Sequence, residues 1–225
     1  MEIKVVKKVL DANNEIAMEN RRLFSQKKVF VINMMSSPGS GKTSILEQTL
    51  SMITPEIKAA VIVGDICTAN DALRIAATGT PSVQINTDEF GGDCHIGAQF
   101  IKKAAAELDL ENIDLLIIEN IGNLVCPAEF DMGENLRVVV LSVTEGEDKP
   151  VKYPLMFRVC DAVLLNKTDL LPHLDYTMDE TLKNIKRIKH EIPVFPMSAK
   201  TCQGFQLWID WLRRMLGRGE SSARP

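Results

Sequence analysis

Eight consecutive residues, Ser36-Ser37-Pro38-Gly39-Ser40-Gly41-Lys42-Thr43, stand where a short apolar run gives way to a stretch with helical spacing. Glycines at such a junction let successive backbone N–H groups turn inward around an anion. The helix that follows adds the positive end of its dipole. In that setting Lys42 reaches the β and γ phosphates of a nucleotide and the Thr43 hydroxyl holds Mg²⁺. Gly39, Ser40, Gly41, Lys42, Thr43 and Ser44 are therefore the candidate phosphate-binding residues. Ser36 departs from the general pattern, which has glycine at its first position. A merely structural glycine-rich turn has no need of the Lys-Thr pair.

A second polar cluster, Asn166-Lys167-Thr168-Asp169, follows the apolar run 162–165. A carboxylate at Asp169 can accept from both N1–H and the 2-amino group of guanine. Adenine offers neither donor there, and a site built for a donor rejects the analogue that lacks it by about 10⁴-fold or more. Lys167 would lay its aliphatic stem along the base, and Asn166 would tie this loop to the phosphate loop. Ser198-Ala199-Lys200 follows the next apolar segment, where the Ala199 N–H would meet the guanine O6. Polar loops after strands often contain Asn, Lys and Asp, so the tetrapeptide gains weight from the order of all three segments.

Two acidic residues end apolar runs: Asp65 after Val61-Ile62-Val63-Gly64 and Glu119 after Leu115-Leu116-Ile117-Ile118. Carboxylates at strand ends facing a phosphate loop are natural partners of hydrated Mg²⁺, and capping or surface roles are the plain alternatives. Lys42, Thr43, Asp65 and Glu119 thus form the candidate catalytic set, with Thr43, Asp65 and Glu119 on Mg²⁺. Gly122 would bring a backbone N–H near a γ-phosphate. An exposed helical ion pair explains Asp71 and Arg74 as well as any site role does. No residue stands out to position the attacking water.

Cysteines occur at 67, 94, 126, 160 and 202, an odd set without disulfide spacing. Cys94 and His95 adjoin, at the expected start of a helix that would favour a thiolate. Cys126 lies seven residues after Glu119. Two thiolates and an imidazole suit Zn²⁺ and accept Ni²⁺, but on spacing alone the reading as unrelated core and loop residues wins. Three ligands leave a tetrahedral ion one short, which a symmetric dimer can remedy. Cys67, Cys160 and Cys202 read as structural, Cys67 with a reservation for its nearness to Asp65.

The elements needed to hold these groups follow from periodicity. Apolar runs at 29–35, 59–63, 82–85, 113–118, 138–143, 162–165 and 194–196 alternate with helical spacing at 42–53, 69–77, 95–108, 179–191 and 203–216. Strands apolar on both faces, alternating with helices, predict an α/β fold: a mostly parallel sheet covered by helices on both faces. Ligands then gather at the carboxyl ends of the strands. Residues 1–26 predict an extra N-terminal helix, packed on the domain or a partner, whose apolar face Asn13 and Asn20 interrupt. Residues 27–216 form the nucleotide-binding domain, and 217–225 a frayed tail. The segment 149–153 reads either as a solvated loop or as a contact to nucleotide or a second subunit. A net charge of -4 argues against nucleic acid. No apolar run approaches the roughly 20 residues of a membrane span, and no leader is evident, so a cytoplasmic protein is expected.

These stretches resemble the HypB family of hydrogenase maturation GTPases, P-loop proteins of the SIMIBI class. The resemblance is carried by SSPGSGKT from Ser36, GDICTANDALRI from Gly64, CHIGAQ from Cys94, ENIGNLVCP from Glu119, SVTEGEDKPVKYP from Ser142 and NKTDLLP from Asn166. That family's loop usually begins with Ser. The resemblance implies a GTP-hydrolysing nickel-incorporation factor using GTP, Mg²⁺ and Zn²⁺ or Ni²⁺. It implies a metal site of Cys94, His95 and Cys126 at a GTP-dependent homodimer interface, and partnership with the metallochaperone HypA and the hydrogenase large subunit. The N-terminal cysteine cluster and His-rich stretch of some members do not occur here. A dimerisation switch without direct nickel delivery, a urease-accessory GTPase and a small-molecule kinase are the competing readings. The urease factor's Cys-Pro-His motif is not found, and a kinase need not read guanine.

Overall fold

A computed structural model describes residues 4–65, 70–86 and 95–217, with side chains of the first helix from residue 10 onward. In chain order its elements are α1 (Lys4–Lys27), β1 (Phe30–Ser36), α2 (Lys42–Ile53), β2 (Ala59–Asp65), α3 (Asn70–Ala77), β3 (Ser82–Asn86), α4 (Ala98–Ala106), β4 (Leu115–Gly122), β5 (Leu136–Ser142), α5 (Lys149–Lys152), α6 (Pro154–Val159), β6 (Ala162–Asn166), α7 (Met178–Ile188), β7 (Val194–Pro196) and α8 (Phe205–Met215). Among the described residues the strands form one sheet in the order β3-β2-β4-β1-β5-β6-β7, with every pairing parallel. This is the α/β architecture the alternating runs predict.

The runs are apolar on both faces because both faces are covered. Ile32, Met34, Val61, Val63, Leu115, Ile117, Val138, Val140 and Leu164 point to one side, where Ile45, Leu46, Ile75, Trp208 and Leu212 from α2, α3 and α8 meet them. Their neighbours point the other way. Val31, Ile62, Leu116 and Ile118 pack under α1 and α4, and Met35, Val139, Leu141 and Val163 under α6 and α7. Trp208 keeps its indole N–H satisfied through Thr49 Oγ1 at 3.1 Å, as a buried indole must.

Three of the differences from expectation have identifiable reasons. The helix expected from residue 95 begins at Ala98, with Gly97 extended at its N-cap (φ -88°, ψ 160°). Ile96 is fully buried, and its δ-methyl fills the place where a Cβ on Gly64 would stand, 2.1 Å from that point. This anchorage draws the chain off the helical path, so His95 precedes the helix rather than starting it. Cys94, expected beside that helix start, lies outside the described residues. The segment 149–153 is no open loop: it makes the short helix α5, and α6 follows directly, each with a proline in its first turn. Proline there loses no helical hydrogen bond, but in a sequence it reads as a loop. Finally, α1 continues through Lys27, and the two asparagines that interrupt its apolar face are buried. Apart from Gly217, the tail expected at 217–225 lies outside the described residues.

Candidate nucleotide and metal site

The phosphate loop joins the central strand β1 to α2. Its turns depend on left-handed glycines, φ +73° at Gly39 and +96° at Gly41. Lys42 Nζ donates to Ser36 Oγ at 2.8 Å, and Ser36 Oγ donates to the Ser37 carbonyl at 2.6 Å. Ser36, the departure from the general pattern, therefore gives the lysine a resting partner that glycine would not. Thr43 Oγ1 donates to Glu119 Oε1 at 2.7 Å.

Glu119 occupies a constrained place. Met34 pairs with Glu119 and Ser36 with Gly122, so β4 spends one residue more than β1 over that stretch. Such a bulge re-aims side chains beside sites. Glu119 is 2% exposed, and burial pushes its carboxyl up to about 7 against the pull of Lys42 and the Thr43 hydroxyl. Burial likewise lowers the Lys42 ammonium. Glu119 Oε2 and Ser40 Oγ are buried with no hydrogen-bond partner among the described residues. An orphaned carboxylate oxygen beside a threonine hydroxyl, at the foot of a phosphate loop, fits a hydrated Mg²⁺. Val63 pairs with Glu119, so Asp65, two residues beyond, lies on the same face of the sheet and at the same end. Gly122 abuts the loop itself: a Cβ there would stand 2.9 Å from Pro38 Cα.

Arg74 does more than pair with Asp71 at 3.6 Å. It reaches across to α2, donating to Glu47 Oε2 at 2.6 Å and to Ser44 Oγ at 2.9 Å.

The second loop is tied to the first. Asn166 Nδ2 donates to the Ser40 carbonyl at 2.9 Å, and a Cβ on Gly41 would meet that nitrogen at 2.4 Å. Lys167, itself at φ +63°, donates to the Gly39 carbonyl at 2.6 Å. Asp169 Oδ1 accepts from Ser198 Oγ at 2.6 Å, leaving its second oxygen for a base. A cavity of about 420 Å³ is bounded by Gly41, Ser44, Asn166, Lys167, Asp169 and Lys200, with Leu170 and Ala199 as its apolar walls. The Ala199 N–H is donated to Asn166 Oδ1 at 3.0 Å.

Of the three metal candidates, Cys94 lies outside the described residues, as does Cys67. His95 stacks on Phe130 with ring centroids 3.8 Å apart, and Cys126 opens a 3₁₀ turn, Cys126–Ala128. Among the described residues no group of three metal-ligating side chains converges. Cys160 is fully buried, which pushes its thiol far up; Cys202 is exposed.

Sequence reasoning missed Glu145. Its carboxylate accepts from the phosphate-loop Ser37 Oγ and, at 3.0 Å, from Ser142 N. The latter bond belongs to a capping box, and the Ser-x-x-Glu spacing of residues 142–145 was its readable sign.

A strand–loop–helix phosphate cradle, a base cavity tied to it and a parallel sheet define a P-loop nucleotide-binding protein. The family model "CobW/HypB/UreG, nucleotide-binding domain" matches residues 30–196. The chain is 50% identical over 204 residues to the hydrogenase maturation factor HypB of Escherichia coli K12, covering 91% of this chain and 69% of that one. It is 48% identical to the HypB of Azotobacter vinelandii, covering 96% of this chain and 70% of that one. Among solved structures, HypB from Helicobacter pylori in complex with nickel superposes with a TM-score of 0.86 at 35% identity, over 95% of this chain and all of that one. HypB from Archaeoglobus fulgidus gives 0.85 at 37%, over 92% of this chain and 100% of that one. The chain belongs to the HypB family of hydrogenase maturation factors. No described helix is long and apolar enough to cross a membrane.

Proposed function

We propose that the protein is a GTP-hydrolysing metallochaperone that couples its nucleotide state and dimerisation to the handling of nickel, and of zinc, for hydrogenase maturation. The observation that carries the nucleotide half is the Asn166–Ser40 bond, which fixes a base cavity ending in Asp169 onto the phosphate loop. The metal half is supported by the family and by its nickel-bound relative from H. pylori. Gly39, Ser40, Gly41, Lys42, Thr43 and Ser44 take the phosphates, with the Gly122 amide near the γ-phosphate. Asn166, Lys167, Asp169, Ser198, Ala199 and Lys200 take guanine, the Ala199 amide turning from Asn166 toward O6. Thr43, Asp65 and Glu119 would hold Mg²⁺, which when bound neutralises phosphate charge and orients the γ-phosphate. Lys42 leaves Ser36 for the phosphates and steadies the charge that spreads as water attacks in line.

Cys94, His95 and Cys126 receive the metal, with a second copy completing the coordination. Cys126 lies four residues beyond Gly122, so the segment that meets the γ-phosphate also carries a metal ligand. Ile96 seats His95's segment on Gly64, one residue before Asp65. Nucleotide and metal then bias each other's binding by the same factor. HypA and the hydrogenase large subunit are the partners in this reading, and the cytoplasm its location.

The test is GTP and ATP affinity, together with Ni²⁺ and Zn²⁺ titration and oligomer mass with GDP and with a non-hydrolysable GTP analogue. Wild type should prefer GTP strongly and dimerise with the analogue, and Cys94→Ala and Cys126→Ala should lose metal. Equal ATP and GTP affinity overturns the guanine reading. Nickel binding unchanged in both cysteine variants removes nickel delivery and leaves a dimerisation switch.

A further inference from the structure

Two buried polar side chains on α1 are unused by anything described so far. Asn13 and Asn20 are 5% and 1% exposed and lie seven residues apart, on one face of the helix. Asn13 Oδ1 accepts from Ala98 N at 2.9 Å, while its Nδ2 donates to the Asp131 carbonyl at 2.8 Å. Asn20 Nδ2 donates to the Ala98 carbonyl at 2.9 Å and the Met132 carbonyl at 3.1 Å. Each amide therefore bridges the same two chain segments. Between them the Ala17 carbonyl comes so near that a Cβ on Gly133 would stand 2.7 Å from it. Arg21 closes the grip, with one guanidinium nitrogen 2.8 and 2.9 Å from the two carboxylate oxygens of Asp131.

The two gripped segments lead to the metal candidates. Three residues before Ala98 is His95. Just before Asp131 is Phe130, on which His95 stacks, and four residues before Phe130 is Cys126. A helix serving only as cover would bury aliphatic side chains here, because a buried amide costs free energy unless its hydrogen bonds are made. Asn20 keeps its two donor bonds even though its own Oδ1 is buried without a partner.

We infer that α1 is the positioning element of the Cys/His metal site, with Asn13 and Asn20 fixing the separation of the His95 segment from the Cys126 segment. This rests on the metal reading above. Partners outside the ligand set that orient ligands are worth about 10- to 100-fold in metal affinity.

The experiment compares wild type, Asn13→Ala, the double variant Asn13→Ala/Asn20→Ala and, as control, Asn14→Ala on the exposed face. Co²⁺ is titrated while its thiolate charge-transfer absorption is followed, GTP affinity is measured alongside, and diethyl pyrocarbonate labelling of His95 is scored against His173 by mass spectrometry. Cobalt affinity should fall at least about tenfold in the double variant and less in Asn13→Ala, with a shifted band. GTP affinity and the Asn14→Ala control should stay within about twofold of wild type. Unchanged cobalt affinity and spectrum in both Asn13 variants overturn the inference, as does a matching loss of GTP affinity, which would mark general unfolding. If wild type, His95→Ala and Cys126→Ala all bind cobalt alike, the metal reading is what fails. The hold of α1 on the His95 segment is then judged on labelling: a rise at His95 in the double variant upholds that hold, an unchanged rate refutes it, and the role toward a metal falls with the metal reading.

Discussion

Glu119 should make nucleotide binding release protons near neutral pH. Its carboxyl titrates at about 7 in the ligand-free protein because it is buried, and Thr43 Oγ1 covers one oxygen while the other has no partner. In the proposed site Mg²⁺ would be held by the carboxylate form. At pH 7 about half the molecules must therefore lose a proton on binding Mg·GTP, and the ionised fraction rises about tenfold between roughly pH 6 and 8. Affinity for Mg·GTP should rise by nearly that factor over the same interval and flatten above it, a change of about 1.4 kcal/mol. Calorimetry in buffers of different ionisation enthalpy counts the protons, and Glu119→Gln supplies the baseline that removes the nucleotide's own titration. Wild type minus Glu119→Gln should give about half a proton at pH 7. A difference near zero, or an affinity gain that persists in Glu119→Gln, refutes the assignment. The same group sets a stability slope with a fixed sign. Its folded value lies above the ordinary glutamate value of about 4.5, so the native state holds the extra proton between the two. Its stabilisation is full below about 4.5 and lost as pH rises through about 7, up to about 3 kcal/mol in the ligand-free protein. Thermal melts of Glu119→Gln should lack that decline.

Gly41→Ala places a Cβ 2.4 Å from Asn166 Nδ2 at φ +96°, whereas Gly39→Ala at φ +73° meets nothing within 4 Å; GTP affinity should fall at least about tenfold more for the first, since both share a left-handed strain of about 1–2 kcal/mol. Asp169→Asn replaces an acceptor with a donor facing guanine, and competition binding should show GTP affinity down by about a hundredfold or more. Gly64→Ala drives Ile96 from its seat; overpacking costs about 1–3 kcal/mol, and both melting temperature and cobalt affinity should drop. A thiol reagent should modify exposed Cys202 in the native protein and leave buried Cys160 untouched until unfolding.

The parts of the site that a single sequence declares are those governed by local chemistry. The phosphate loop needs positive φ at Gly39 and Gly41, and α2 starts at Lys42 where the spacing predicts it. What stayed hidden depends on distant partners. The start of α4 is moved by Ile96 resting on Gly64, a contact across the chain that no window of residues contains. Asn13 and Asn20 look like flaws in an apolar face because Ala98, Asp131 and Met132 are far along the chain. The Ala199 amide was legible as a donor, but its present acceptor, Asn166 Oδ1, belongs to another loop. Proline, which breaks a helix interior, sits in the first turn of two helices here.

The methyl group of Ile96 resting against bare backbone at Gly64 has a consequence for engineering. The branched side chain fills the gap that the glycine leaves, so a scaffold that received the histidine-bearing loop would need to offer a gap for Ile96. The seating of that loop beside the strand that ends in Asp65 thus rests on the missing side chain of one residue.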